Sequence, residues 1–221
     1  TLLLARLSPD AVEVVRNPVI TDAMLSGAGE SNPHPWLAGD TPVVLGVGRL
    51  SRQKDFPTLI NAFAKARQSR DLRLIILGEG GDREALQQLI NRLGIADAVA
   101  MPGFDANPYR WLSRADLFVL SSRWEGSPNA LTEALALGVP SISTRCPSGP
   151  DETLAEGRYG TLLEMGDSDA MAEAMLATLV SPLPAATLKQ AVSEYKDHIS
   201  AQHYLRLLGV QALAQPPELE R

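Results

Sequence analysis

Two glutamates eight positions apart, Glu125 and Glu133, have the residue type and spacing to bind one ligand that carries several hydroxyls. Glu125 stands in a Gly-Ser-Pro loop, and Glu133 stands on the helix that this loop is predicted to begin, with Ser127 as its cap and Pro128 in its first turn. Because a helix start has unpaired N–H groups and partial positive charge, it favours an anionic ligand. A phosphate at the helix start, with hydroxyls donating to both carboxylates, describes a nucleotide sugar. An ordinary capped helix with one solvated glutamate is the alternative that this segment alone leaves open.

The elements that must position this pair alternate between short apolar runs and amphipathic stretches, from Pro42 to about Glu164. The apolar runs have no polar face, which is typical of buried parallel strands. Two of the amphipathic stretches end at Gly94 and Gly138, the usual glycine stop of a helix. The alternation predicts β-α-β units and a doubly wound α/β domain with a parallel sheet. The predicted strands are 43–48, 72–78, 98–101, 117–122 and 139–144, and the predicted helices between them are 56–68, 82–94, 108–115 and 128–138.

The flanking regions have different patterns. Residues 12–15, VEVV, are strand-like, and residues 26–42 contain prolines and glycines with little periodicity, which predicts a connector. Helical patterns return after Leu163, at about 168–180, 185–196 and 199–208, and the tail at 215–221 is expected to fray.

The composition excludes several classes of protein. A net charge of −6 argues against broad attraction to nucleic acid or to an anionic membrane. No apolar run approaches the roughly 20 residues that span a bilayer. The single cysteine, Cys146, excludes an internal disulfide, fits a reducing cytoplasm and is expected to be inert, because no histidine lies near it in sequence. The three histidines are scattered without metal-site spacing, so no metal site is expected.

In open parallel sheets, ligands bind beyond the carboxyl ends of the strands, so the residues after each predicted strand are candidates for contact. Arg49 and Lys54 follow the first strand and could converge on a diphosphate, although solvated side chains are the alternative. A dinucleotide fingerprint would need glycine where this chain has Ser51, so a nicotinamide site is not expected. Phe104 follows the third strand and could lie beside a base or in the core. The glycines in the first two of these loops include Gly48, Gly78 and Gly80.

The ordered set of motifs resembles the C-terminal, donor-binding domain of the retaining glycosyltransferases of family 4, which have the two-domain GT-B fold. The resemblance runs from about Val43 to Leu179 and is carried by VGRLSRQKDFPTLINAF, LIILGEGGDREALQQL, MPGF and ADLFVLSSRWEGSPNALTEALALGVPSIST. It implies that the parallel sheet is the Rossmann-like C-terminal half of a GT-B fold. The implied domains are the end of an acceptor domain and a connector at 1–41, the donor-binding domain at 42–180, and C-terminal helices and tail at 181–221.

The resemblance also implies residue roles. Arg49 and Lys54 match the pair that binds the donor diphosphate and stabilises it as it leaves, Glu133 matches the acceptor of ribose hydrogen bonds, and Glu125 lies beside the transferred sugar. Asp55 is a departure, since many members have glycine after the lysine. Its carboxylate could weaken the hold of Lys54 on phosphate or could cap the next helix. The other expected donor-binding residues are Gly48, Gly78, Gly80, Phe104, Gly126, Ser127, Pro128 and Asn129.

These roles imply a retaining hexosyltransferase that moves a sugar from a nucleotide-diphosphate donor, with UDP as the favoured nucleotide, to a glycan, lipid-linked or small-molecule acceptor. Arg49, Lys54 and the helix start at Ser127 would stabilise the leaving phosphate, so neither a metal nor another cofactor is expected. The expected partners are the nucleotide sugar and an N-terminal acceptor domain of the same protein. The expected location is the cytoplasm, with peripheral attachment to the inner membrane face through that missing domain, without which this chain is expected to be inactive.

Three other functions fit part of the pattern. Sugar-nucleotide epimerases and phosphorylases share the GT-B architecture, but epimerases lack the EGSPNALTE pattern, and phosphorylases need a lysine for pyridoxal phosphate and a longer chain. A non-catalytic nucleotide-sugar-binding module also fits, because this chain lacks an acceptor domain. Turnover by a full-length protein would distinguish an enzyme from such a module. A flavodoxin-like domain with fortuitous loops is the remaining alternative.

Overall fold

A six-stranded parallel sheet lies at the centre of the fold in the computed structural model, which describes residues 12–210. The strand order is β3-β2-β1-β4-β5-β6, so successive crossovers run outward from β1 in one direction and then from β4 in the other. This order confirms the predicted doubly wound α/β fold, and it places a topological switch point between β1 and β4. The strands are β1 Val43–Val47, β2 Arg73–Leu77, β3 Val99–Gly103, β4 Leu117–Leu120, β5 Ser141–Thr144 and β6 Thr161–Leu163.

The four central strands of the sheet, β2, β1, β4 and β5, are buried on both faces, as their continuous apolar sequences predict. Val44 of β1 lies opposite Leu74 of β2 and Leu117 of β4, and all three are fully buried. The next residue in β1, Leu45, points to the other face and is equally buried. Burial on both faces fixes the register, because a shift of one residue would exchange the two apolar faces of a strand.

Helices cover the two faces of the sheet. The main core lies against α2, α3 and α7, which contribute residues such as Phe63, Leu86 and Met171. On the other side of the sheet α5 packs against α4 and α8. The helices within residues 22–193 are α1 Asp22–Ala28, α2 Phe56–Ala66, α3 Arg83–Arg92, α4 Tyr109–Leu112, α5 Asn129–Ala136, α6 Pro150–Thr153, α7 Ser168–Val180 and α8 Ala185–Ala191, with a 3-10 turn at Pro35–Ala38.

The described chain divides into two compact units, residues 22–193 and residues 12–21 with 194–210. The smaller unit contains α9, Asp197–Leu207, which follows a 3-10 turn at Ser193–Tyr195. In this unit Ile20 pairs with Lys196 in an isolated parallel bridge. The predicted limits at 1–41, 42–180 and 181–221 stay predictions, and the expected frayed tail lies outside the described residues.

Some of the flanking predictions are wrong. Residues 12–15 form no strand, and the predicted connector at 26–42 contains the end of α1 and a 3-10 turn. The helix predicted at 185–196 ends at Ala191, and a 3-10 turn follows it. No helix within residues 12–210 has the length and apolar content needed to cross a bilayer.

Candidate functional site

Lys54 and Glu125 meet directly at the carboxyl edge of the sheet. Lys54 Nζ lies 2.6 Å from Glu125 Oε1, and the Glu125 side chain is only 6% exposed. Ser122 Oγ donates a second hydrogen bond to the same carboxylate oxygen, also at 2.6 Å. Because Lys54 follows β1 and Glu125 follows β4, the pair bridges the topological switch point, where open α/β sheets bind ligands.

The two loops that carry this pair are joined by three further hydrogen bonds. The Arg123 N–H donates to the Gln53 carbonyl at 2.8 Å, and Gln53 Nε2 donates back to the Trp124 carbonyl at 2.9 Å. Ser121 Oγ donates to the Lys54 carbonyl at 2.7 Å. Residues 53–55 and 121–125 therefore form one unit, named here the switch-point clamp.

Asp55 does not cap the helix that follows it, so one of its two suggested roles is wrong. It occupies the residue before α2, but its side chain makes no capping hydrogen bond to the helix backbone. Its Oδ2 accepts a hydrogen bond from Thr58 Oγ1 at 3.0 Å and lies 3.1 Å from Arg123 Nε. The carboxylate is therefore paired with Arg123, while the ammonium of Lys54 pairs with Glu125.

A cavity of about 460 Å³ opens beside the clamp, at the carboxyl ends of β1, β2 and β3. Lys54 borders it through Gly48, because a Cβ built on Gly48 would lie 2.8 Å from Lys54 Cε. Its lining residues include Gly48, Arg49, Gly78, Glu79, Phe104 and Tyr109. The structure thus brings four of the predicted site residues together in one concave surface: Gly48, Arg49, Gly78 and Phe104.

Arg49 lines this cavity, and its positive charge is not paired with a carboxylate of the described chain. It is exposed, and within the described chain its guanidinium makes no ion pair or side-chain hydrogen bond. Glu79, in contrast, is engaged by Arg83 through contacts of 2.8 Å and 2.5 Å, and these hydrogen bonds lower the pKa of Glu79. An incoming anion would therefore meet a free guanidinium at the cavity and an ammonium shared with Glu125 behind it.

Glycines bring the neighbouring loops into backbone contact. Gly78 has a φ of +144°, and a Cβ there would lie 2.0 Å from the Gly48 carbonyl oxygen. A Cβ on Gly80 would lie 2.2 Å from the Leu50 carbonyl oxygen, and Gly80 does not line the cavity. Close backbone approach is thus a sufficient reason for both glycines, and Gly78 also forms part of the cavity wall.

The loop after β3 presents Phe104 to solvent. Its side chain is 76% exposed, so the core position considered for it is wrong. Asp105 fixes the same loop, since its Oδ2 accepts hydrogen bonds from Trp111 Nε1 at 2.7 Å and Arg110 Nη2 at 2.7 Å. Burial alone would raise the pKa of Asp105, but these hydrogen bonds together lower it. The site therefore has a loop that hydrogen bonds hold in place and that carries an exposed aromatic ring.

Glu133 lies on α5 in surroundings that disfavour its charge. Burial raises its pKa to about 7. Its charge in turn adds to burial in raising the pKa of Tyr109, which lines the cavity. Glu133 is therefore close enough to the cavity wall to act on a group there.

The start of α5 differs from the prediction. The helix begins at Asn129, and Ser127 does not cap it, because Ser127 Oγ donates to Asn129 Oδ1 at 3.2 Å and Pro128 holds the capping position. Pro128 is buried against Gly149, whose Cβ would lie 2.4 Å from Pro128 Cδ. Gly126, Ser127 and Asn129 are exposed. Proline at the capping position displaces the serine because it fits the loop after β5.

Sequence reasoning assigned no site role to Ser122, Asp105, Tyr109 or Arg123. Their residue types are common, and only Asp105 and Arg123 had a signal, their place just after a predicted strand. Cys146 lies near the Lys54–Glu125 pair, and burial, followed by the charge of Glu125, raises the pKa of its thiol. A raised thiol pKa agrees with the expected inertness. Across residues 12–210 no three His, Cys, Asp or Glu side chains cluster to hold a metal ion.

Comparison with known protein families gives one family match. The model of the family "Glycosyl transferases group 1" matches residues 30–196, which is most of the chain and includes both sides of the switch point.

Curated relatives carry related names. The chain is 42% identical over 116 residues to an uncharacterized glycosyltransferase of Methanocaldococcus jannaschii, which covers 52% of this chain and 29% of that protein. It is 31% identical over 173 residues to a Campylobacter jejuni N-acetylgalactosamine-N,N'-diacetylbacillosaminyl-diphospho-undecaprenol 4-alpha-N-acetylgalactosaminyltransferase, covering 78% of this chain and 46% of that one. The chain thus spans about half the length, or less, of these relatives.

Solved structures share the fold. A lipopolysaccharide outer core galactosyltransferase in its apo form superposes with a TM-score of 0.76 at 26% identity, covering 94% of this chain and 58% of that one. Anabaena HepE in complex with UDP superposes with a TM-score of 0.78 at 21% identity, covering 94% and 60%. At this identity the second likeness concerns the fold alone.

Proposed function

The chain belongs to the glycosyl transferases group 1 family, and we propose that it is the donor-binding part of a retaining, metal-independent glycosyltransferase. In this proposal the cleft takes a nucleoside-diphosphate sugar, with UDP as the favoured nucleotide. An N-terminal acceptor domain of the same protein would supply the second substrate, and this chain by itself would bind the donor without transferring its sugar.

The observation that carries the proposal is the Lys54–Glu125 pair across the switch point, beside a cavity with the free guanidinium of Arg49. A nucleotide sugar has two negative phosphates between a sugar and a nucleoside. Arg49 and Lys54 are suited to the phosphates, since charge-assisted hydrogen bonds are the strong class. Glu125 would then accept hydrogen bonds from the transferred sugar as Lys54 turns to the diphosphate.

The nucleoside would occupy the cavity. Its volume of about 460 Å³ lies within the usual range of small-molecule sites, roughly 300–1,000 Å³. Phe104 could stack on the base, because its ring is exposed on a loop that Asp105 holds in place. Glu133 would accept hydrogen bonds from the ribose hydroxyls.

The chemical step places negative charge on the departing diphosphate while positive charge develops on the sugar. Arg49 and Lys54 would stabilise the first charge, and Glu125, held by Ser122, would orient the sugar. A glycosidase scheme that uses Glu125 and Glu133 as nucleophile and acid fits less well, because Lys54 and Ser122 already hold Glu125. Retention of configuration is proposed from the family resemblance.

The acceptor is proposed to be a lipid-linked or lipopolysaccharide glycan. This follows the names of relatives, among which are the Campylobacter transferase and lipopolysaccharide 1,6-galactosyltransferases of Escherichia coli and Salmonella typhimurium. Such acceptors would place the full protein at the inner membrane face.

A thermal-shift panel of the 221-residue chain with UDP, GDP and ADP tests the donor site. With the three nucleotides at one equal concentration, UDP should give the largest shift. At about 100 times its dissociation constant, UDP should add roughly 2.7 kcal/mol to the free energy of unfolding. Glu133→Ala should reduce that shift, whereas the control Glu84→Ala, on the exposed face of α3, should keep it. Absence of a shift with all three nucleotides would overturn the proposal.

A further inference from the structure

Asp55 holds a backbone conformation that few residues other than glycine adopt. Its φ and ψ are 45° and 44°, in the left-handed region, where a Cβ is unfavourable and only glycine, asparagine and aspartate are common. The residue is also 4% exposed, so its carboxylate is removed from water. An acidic side chain in a buried, strained position calls for a compensating interaction.

That interaction crosses the switch point. Asp55 Oδ2 lies 3.1 Å from Arg123 Nε, and it also accepts the Thr58 hydroxyl at 3.0 Å. Arg123 is two residues before Glu125, and Asp55 directly follows Lys54. The Asp55–Arg123 ion pair therefore joins two residues that lie within two positions of Lys54 and Glu125, respectively.

The geometry points to Asp55 and Arg123 as positioning residues that fix Lys54 and Glu125 for the donor, an inference that rests on the proposed function. Without them, the two loops would be held by the hydrogen bonds at Gln53 and Ser121. Ser122 Oγ would still orient the Glu125 carboxylate, so the ion pair acts chiefly on the loop that carries Lys54. The ion pair adds a side-chain contact that fixes the two loops relative to one another. Asp55 thus acts through Lys54, without itself touching the diphosphate.

Binding of UDP to the 221-residue chain, measured by calorimetric titration, tests the inference. Asp55→Asn keeps the size of the side chain and tolerates the left-handed backbone but removes the charge. It should weaken UDP binding roughly fivefold to tenfold, which is about 1–1.4 kcal/mol. Arg123→Gln should have a similar effect. Asp97→Asn, which breaks the exposed Arg67–Asp97 ion pair at 2.6 Å, is the matched control and should leave the affinity unchanged.

Two further variants separate positioning from folding. Asp55→Gly removes the carboxylate and relieves the left-handed backbone, so UDP affinity should fall as it does for Asp55→Asn while the melting temperature holds or rises. In a Lys54→Ala background, Asp55→Asn should cause no further loss of affinity, because the residue through which Asp55 acts is already gone.

The outcomes are distinct. If the unaltered chain binds UDP and Asp55→Asn binds it equally well, or if its loss persists in full in the Lys54→Ala background, the positioning role is wrong and the proposed function stands. If the unaltered chain binds none of UDP, GDP and ADP, the proposed function is wrong and the positioning role falls with it.

Discussion

The protonation state of Glu133 should affect the binding of a nucleotide. Burial raises its pKa to about 7, so the carboxyl is largely neutral below this pH and ionised above it. Ribose hydroxyls donate hydrogen bonds, and a carboxylate accepts them at both oxygens, whereas the neutral acid has one oxygen that donates. The affinity for UDP should therefore rise from about pH 6 to about pH 8, by up to roughly tenfold.

The measurement is a titration with UDP at both pH values for the unaltered chain and for Glu133→Gln. The variant cannot ionise at this position, so it also corrects for the ionisation of the nucleotide's own phosphate. The difference in pH dependence between the two proteins should be the contribution of Glu133. Equal pH dependence in both would show that Glu133 does not receive the ribose as a carboxylate.

The side-chain pairs of the site were the feature that the sequence predicted least well. The types and spacing of Arg49, Lys54, Glu125 and Glu133 indicated an anion beside hydroxyls. That Lys54 would pair with Glu125, 71 positions away, follows from the switch-point topology, and no local pattern encodes it. For the same reason the sequence suggests for Asp55 only a weaker hold of Lys54 on phosphate or a helix cap, and its partner, Arg123, is not predictable from a local pattern.

At the scale of elements, the loops after β1 and β2 need glycines for their close approach. Gly78→Ala would place a Cβ 2.0 Å from the Gly48 carbonyl oxygen, where only a backbone shift could make room. We expect it to lower the free energy of unfolding by roughly 3 kcal/mol, measured by denaturant titration. Gly81→Ala is the matched control, since its Cβ would meet no atom within 4 Å. It should change stability by less than about 0.5 kcal/mol, and equal values for the two variants would contradict the close approach.

The elements themselves were predictable where burial dictated them. All five predicted strands exist, and in four of them the apolar run is buried on both faces, which leaves it no other stable place. The start of α5 was mistaken because serine is the better cap in isolation, while Pro128 is fixed by its contact with Gly149. The seven-residue α1 was missed because it buries only Met24 and Gly27 and so has no amphipathic pattern.

At the scale of the whole molecule, the chain is acidic, yet the proposed ligand of its site is an anion. The two acids that line the cavity, Glu79 and Asp105, add little free negative charge there, because each is paired with an arginine. Arg83 binds Glu79, Arg110 binds Asp105, and Lys54 binds Glu125. The guanidinium of Arg49 has no such partner within the described chain. The overall charge therefore limits non-specific attraction of polyanions, while the local field still favours a diphosphate.

This arrangement leads to the last prediction, which concerns the source of positive charge. If Arg49 and Lys54 supply the charge that stabilises a bound diphosphate, no divalent cation is needed to bridge its oxygens. The thermal shift given by UDP should then be the same with a chelator as with added Mg²⁺. Arg49→Ala should reduce the shift under both conditions, while Arg92→Ala, at the far end of α3, should keep it as a matched loss of charge. A shift that disappears with the chelator and returns with Mg²⁺ would assign the role to a metal ion, and Arg49 and Lys54 would then be auxiliary to it.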